Sequence, residues 1–240
     1  MGSGLFVSVD DAGSSKEVDD ALRQCALAGT VDGASVLATG PGFAGACATA
    51  MEHGLAISAH LNCSEPPFIT PVAFPGPIAL AARSSAWLPR VEAEWRAQIE
   101  RLLSCGALVT GLDSHRHLHH LPGLAELTLR LAKEYRAGVV RAAILPDRLA
   151  RPSGLILDSL GRRLARLASA AGTRTRSCMA GFGASGRVTR RYLEGLSLPR
   201  GECELVMHPA TSRVWSAGQP GELELLLSGW FREWKESLAG

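Results

Sequence analysis

From Leu112 to Pro122 the chain reads Leu-Asp-Ser-His-Arg-His-Leu-His-His-Leu-Pro, which gathers four of its seven histidines and a carboxylate into one short run. In an extended segment side chains alternate between faces, so Asp113, His115, His117 and His119 are expected to point one way. Neutral imidazoles converging with a carboxylate form the donor set of a borderline divalent cation such as zinc. A solvated polar loop, or histidines paired with backbone carbonyls, is the plainer reading, but the position just after the apolar Ala107-Leu108-Val109 favours metal. Other reactive groups also stand at the ends of apolar runs. Asp10 and Asp11 follow Leu5-Phe6-Val7-Ser8-Val9, His60 sits near the end of the 55–61 run, and His208 follows the 203–207 run. Asp-Asp-Ala-Gly is also a good turn sequence. Two carboxylates beside one divalent ion can nevertheless divide the work, one ligating and one taking a proton from bound water. Metal-bound water has its pKa lowered to about 7, and a carboxylate base and a histidine acid each add typically ~10²–10⁴-fold. Hydrolysis of an amide or ester is the chemistry that fits.

Elements that could position these groups follow from the periodicity. Strands are expected at 5–9, 34–38, 55–61, 107–109 and onward, 138–142, 174–178 and 203–209. The helices expected between and after them run from Ser14 or Ser15 to Gly29, then over 42–52, 88–103, 123–136, 155–171, 188–196 and 220–238. Ser14 and Glu17 have capping-box spacing. About seven strands alternating with about seven helices, with no composition break, predict a single α/β domain over 1–240 with a parallel sheet or barrel. In a parallel barrel the C-terminal strand ends share one face, the face where active sites form. Asp10, Asp11, His60, Asp113, His115 and His208 would all meet there. The 62–86 segment, with prolines at 66, 67, 71, 75 and 77, reads as a long loop that acts as a lid or binding element.

Size and composition narrow the classes. A chain of 240 residues can bury roughly 70–75% of its unfolded surface and needs no staples. With 46% apolar and 20% charged residues and a net charge of +2, it is an ordinary globular chain rather than a disordered one. Arginines gather at 141–176 and 187–191 without interleaved aromatics, so nucleic acid is not an expected partner. Partly apolar, Arg-rich helices leave contact with a membrane surface open, and a homo-oligomer is left open too. Six scattered cysteines without a C-x-x-C pair fit reduced thiols in a cytoplasmic protein. No apolar run reaches the length of a membrane span.

The chain resembles the YdjC/ChbG-type carbohydrate deacetylases. The matching pieces are Val7-Ser8-Val9-Asp10-Asp11-Ala12-Gly13, Ile57-Ser58-Ala59-His60-Leu61, Asp113-Ser114-His115-Arg116-His117-Leu118-His119, Val140-Arg141 and Leu205-Val206-Met207-His208-Pro209, in the family's order and spacing. The 183–189 turn and His208-Pro209-Ala210-Thr211 look closest to the branch associated with hopanoid glycolipid biosynthesis. The resemblance implies a distorted (β/α) barrel that removes acetyl from an N-acetylated amino sugar, such as an N-acetylglucosamine unit of an oligosaccharide, glycoconjugate or glycolipid. It implies a divalent metal, zinc before magnesium, on Asp11, His60 and His115. Asp10 would be the general base, His208 the general acid, His117 and Asp113 supporting residues, and Arg141 the group that orients Asp10. Arg116 and His120 stand at positions that vary in the family. The residues also fit a different amidohydrolase, or a sugar-binding barrel that has lost its chemistry. The amidohydrolase type places its H-x-H on the first strand, whereas here it follows the fourth, and the presence of both Asp10 and His208 argues against a barrel without catalysis.

Overall fold

The computed structural model describes residues 4–146 and 152–238; positions 1–3, 147–151 and 239–240 of the expected domain lie outside the described residues. Seven strands, β1 (Gly4–Ala12), β2 (Gly33–Val36), β3 (Ala56–Leu61), β4 (Val109–Ser114), β5 (Val139–Val140), β6 (Cys178–Ala180) and β7 (Glu202–Met207), form one parallel sheet in the order β5-β4-β3-β2-β1-β7-β6. The strands at its two edges approach each other. Val140 N–H donates to the Arg174 carbonyl (2.9 Å) and Met179 N–H to the Ile144 carbonyl (2.8 Å), so the sheet curls into a distorted barrel. Between and after the strands lie α1 (Lys16–Ala28), α2 (Phe43–Glu52), α3 (Pro77–Ala82), α4 (Ser84–Ser104), α5 (Leu124–Glu134), α6 (Pro152–Ala170), α7 (Arg190–Glu194), α8 (Gln219–Leu227) and α9 (Gly229–Ser237). No helix among the described residues is long and apolar enough to cross a membrane.

The period-2 rule explains how one strand serves both a core and a site. On β1, Val7 and Val9 belong to the main apolar core, while the intervening Ser8 and Asp10 carry side chains that bond to Arg141. On β7, Leu205 and Met207 join the same core and Glu204 reaches Arg141. Inside the barrel the polar members of each alternation therefore meet one another. β1 is central: it pairs with β2 on one side and with β7 on the other, in register from Gly4–Glu202 to Val9–Met207.

The structure corrects several expectations. Ser15, not Ser14, caps α1, its hydroxyl accepting from Val18 N–H, and Gly29 ends that helix in the left-handed region. The loop after β3 is shorter than expected, because α3 occupies 77–82 and α4 begins at Ser84, ahead of the expected 88, and carries Pro89 inside it. The expected 174–178 strand lies at Cys178–Ala180, and the 220–238 helix breaks at Ser228, whose hydroxyl caps α9. The cysteines are not all free thiols. Cys178 and Cys203 sit directly opposite each other on β6 and β7 and form a disulfide, with Cα atoms 4.7 Å apart. Sequence spacing could not show that juxtaposition. Cys25, Cys47, Cys63 and Cys105 are unpaired.

Candidate active site

Asp10 and Asp11 are adjacent, so a regular strand would aim them at opposite faces. The register of β1 against β2 shifts between Val9 and Ala12, and Asp11 takes a left-handed conformation (φ 60°). A bulge of this kind re-aims a side chain. Here it brings Asp11 over the rim while Asp10 stays in the barrel. Asp11 Oδ1 lies 3.0 Å from His115 Nδ1 and 3.4 Å from His60 Nε2. The three donor atoms fall within 4.8 Å of one another. Burial by itself would raise the Asp11 pKa, but hydrogen bonds from His115 and His60 hold it well below the usual carboxylate range.

A divalent cation fits this triad. One carboxylate oxygen and two imidazole nitrogens make a three-ligand set that leaves a position open toward the cleft. The far nitrogen of each imidazole also has a carboxylate to fix its orientation, an arrangement typical of metal-ligating histidines. His60 Nδ1 donates to Asp113 (2.6 Å), and His115 Nε2 lies 3.5 Å from Glu65. A second grouping, Asp10, His60 and Asp113, is also close enough to hold an ion. It suits one less well, because a guanidinium already lies against both of its carboxylates.

That guanidinium is Arg141, just past β5. It grips Asp10 through two parallel bonds (2.7 and 2.8 Å) and reaches Glu204 (2.8 Å), Asp113 (3.1 Å), Ser35 (3.2 Å) and Ser8 (3.3 Å). The group is buried on every side. Although burial opposes ionisation, Arg141, helped by His60 and His208, holds the Asp10 pKa at about 2. His60 responds in the opposite sense. Its burial would lower its pKa, yet Asp113, Asp10 and Asp11 push it up to about 10. Asp10 is thus a fixed anion, though a weak base.

The histidine run does not stay extended. β4 ends at Ser114, and 115–120 wind into a 3₁₀ turn with Arg116 and His117 in the left-handed region (φ 55° and 56°). The imidazoles consequently part company. His115 joins the triad and His117 lines the cleft against Phe182. His119 turns into the core, bonded to Ser114 Oγ and donating to the Arg141 carbonyl, and His120 accepts from Ala143 N–H. The expectation that Asp113, His115, His117 and His119 share one face therefore fails; Asp113 sits behind His60 and His119 is structural. Burial, followed by the neighbouring His120, drives His117 and His119 well below the ordinary imidazole pKa.

His208, beyond the end of β7, faces the triad across a cleft of about 390 Å³ whose walls include Asp10, Asp11, His60, His115, His117 and His208. Ser185 Oγ lies 3.2 Å from His208 Nδ1, and buried Glu222 accepts from the His208 backbone N–H (2.6 Å). Met179, Phe182 and Val206 supply an apolar wall. Sequence reading missed Ser35, Glu65, Ser185, Glu204, Trp215 and Glu222. Only the strand alternation of Ser35 offered a signal.

Fold and site together define a class: a parallel α/β barrel whose C-terminal rim presents a carboxylate–imidazole triad beside a clamped carboxylate and a further imidazole. Within that class the chain belongs to the family of YdjC-like proteins, matched over residues 4–237. It is 30% identical over 256 residues to a carbohydrate deacetylase of Mus musculus, covering 91% of this chain and 81% of that protein. It is 33% identical over 143 residues to a carbohydrate deacetylase of Brevibacillus brevis, covering 56% of this chain and 58% of the relative, so the matched part spans less than two thirds of that protein's length. A solved structure from Enterococcus faecalis V583, described as a cellobiose-phosphate cleavage protein, superposes with a TM-score of 0.74. That match has 20% identity and covers 99% of this chain and 95% of the other.

Proposed function

We propose that this chain is a metal-dependent carbohydrate deacetylase that hydrolyses the acetamide of an N-acetylated amino sugar, an N-acetylglucosamine unit of an oligosaccharide, glycoconjugate or glycolipid. The observation that carries the reading is the meeting of Asp11, His60 and His115 with Asp10 and His208 around one cleft. The relatives named as carbohydrate deacetylases give the substrate class.

Asp11, His60 and His115 would hold the cation, with Asp113 orienting His60. Two imidazoles favour zinc, whereas magnesium prefers oxygen donors. When bound, such an ion acidifies water and polarises the amide carbonyl. Asp10 takes the proton of the attacking water and Arg141 keeps it aimed. His208 gives a proton to the departing amine. The apolar wall of Met179, Phe182 and Val206 suits the acetyl methyl, His117 lines the pocket, and the Pro-rich segment after β3 covers the substrate.

An acetate-release screen over free, oligomeric and lipid-linked N-acetylglucosamine, with and without chelator, tests the activity. Asp10→Asn should retain its metal in elemental analysis and lose about 10²–10⁴-fold in acetate release. Parent-level activity in that variant would remove Asp10 from the base role.

A further inference from the structure

Trp215, on the loop between β7 and α8, is 47% exposed. A large aromatic side chain left half in water is informative where it is also held still, and Trp215 is held. Buried Gln219, in the first turn of α8, accepts through one oxygen from three consecutive amides, Val214 (3.1 Å), Trp215 (2.9 Å) and Ser216 (3.0 Å). Ser216 Oγ donates in turn to the Gly186 carbonyl (2.8 Å). The six-membered ring of the indole lies on Gly186, where a Cβ would fall 2.6 Å from Cη2 and 2.8 Å from Cζ3. Residue 186, with φ +67°, thus has no space for a side chain. Gly218 permits a second close approach, since a Cβ there would lie 2.5 Å from the Gly186 carbonyl oxygen.

The indole meets His208 edge to face, with ring centroids 5.3 Å apart and planes at 82°. It also walls two adjoining clefts, the one that holds the triad and a second of about 330 Å³. Asp11, Glu65 and His115 are the other walls the two share. A purely structural tryptophan would bury its rings, and an incidental surface one would not sit in a turn whose three consecutive amides share one buried acceptor.

We infer that Trp215 is a sugar-stacking platform, a specificity-determining residue that receives the C–H face of the pyranose and so sets its acetamide against the triad. The inference rests on the deacetylase reading above. A pyranose carries hydroxyls around its edge and C–H groups on its faces, and a rigid indole at the edge of a polar cleft offers a large apolar surface at low entropic cost. Because the indole also packs against the His208 ring, substrate placement and proton donation share one wall.

Steady-state kinetics on the metal-loaded enzyme test this with N-acetylglucosamine and its disaccharide. Trp215→Ala should raise KM by about ten- to a hundred-fold, the range seen when an aromatic stacking face is truncated, and leave kcat within a few-fold. Trp215→Phe should recover part of the loss, with KM left a few-fold above that of the parent. Calorimetric binding of the deacetylated amino sugar should weaken in parallel. A fall in kcat at unchanged KM would show that Trp215 acts only through His208 and would overturn the platform, as would unchanged KM in both variants. If Trp215→Ala does not fold, Trp215→Phe still decides, because a ring of smaller face must raise KM measurably. If the parent neither releases acetate from nor binds any N-acetyl sugar, the deacetylase reading itself falls, a result distinct from an active parent indifferent to residue 215.

Discussion

Arg141 touches three carboxylates and two hydroxyls yet lies below the cleft rather than in it. A buried cation in such company fixes both the charge and the direction of Asp10. It also makes stability depend on pH. The Asp10 pKa of about 2 lies below the 3.8 of an unperturbed carboxyl, so its stabilisation is present above pH 4 and is lost as pH falls through 2. At about 1.4 kcal/mol per pKa unit the amount is about 2 kcal/mol. Chelator-treated parent should therefore lose about that much more unfolding free energy between pH 5 and pH 2 than chelator-treated Asp10→Asn, as read by urea titration. Equal losses would show that Arg141 does not control Asp10. Five residues at this scale were legible from their place at strand ends: Asp10, Asp11, His60, His115 and His208. Glu204 was not, because an acidic residue alternating with Leu205 and Met207 reads as a solvent face, and nothing local reveals that Arg141 waits inside.

At the scale of elements, the first turn of α8 has more effect than its length implies. Glu222 accepts from Val188 N–H (2.7 Å) and from His208 N–H (2.6 Å), tying the segment before α7 to the end of β7, and Gln219 does the same for the Trp215 loop. Glu222→Ala would leave two buried amides without partners, each costing about 1–3 kcal/mol. The expected result is a drop of at least about 2 kcal/mol in unfolding free energy, with kcat falling as His208 loses its anchor. Sequence periodicity gave one closing helix here and no hint of this turn, since a buried Glu and Gln near a helix start look like ordinary N-terminal polar residues. The histidine run failed for a related reason. Alternation assumes extended backbone, and the left-handed Arg116 and His117 redirect every side chain after His115. Helices and strands with clean periods, and β5, were placed within a few residues; the short β6 and the loop–helix division near residue 77 were not, because tertiary packing decides them.

For the molecule as a whole, a cation held by β1, β3 and the turn after β4 would tie the rim of the sheet together across the intervening β2. At a hundredfold excess over its dissociation constant it would add about 2.7 kcal/mol. For a chain of this size that raises the melting temperature by roughly 5–10 °C. Chelation should lower the parent's melting temperature and zinc restore it, while His115→Ala should respond weakly to both and retain less metal in elemental analysis. An unchanged metal content would exclude His115 as a ligand. The α/β alternation and parallel barrel could be read from strand and helix order. The β5–β6 seam could not, since it forms by closure of the barrel, and nor could the Cys178–Cys203 contact, since it depends on the register between β6 and β7.

The central position of β1, with Val9 beside Met207, also has a bearing on synthesis. Asp11, His60 and His115 come from β1, β3 and the turn after β4, and β1 to β4 lie side by side in sequence order, so the proposed cation cradle can gather while translation is under way. Asp10 meets His208, its proposed acid partner, only after Met207 has left the ribosome and found the open flank of the first strand. A nascent chain would thus capture an ion before it could cleave anything, and hydrolytic competence would arrive last.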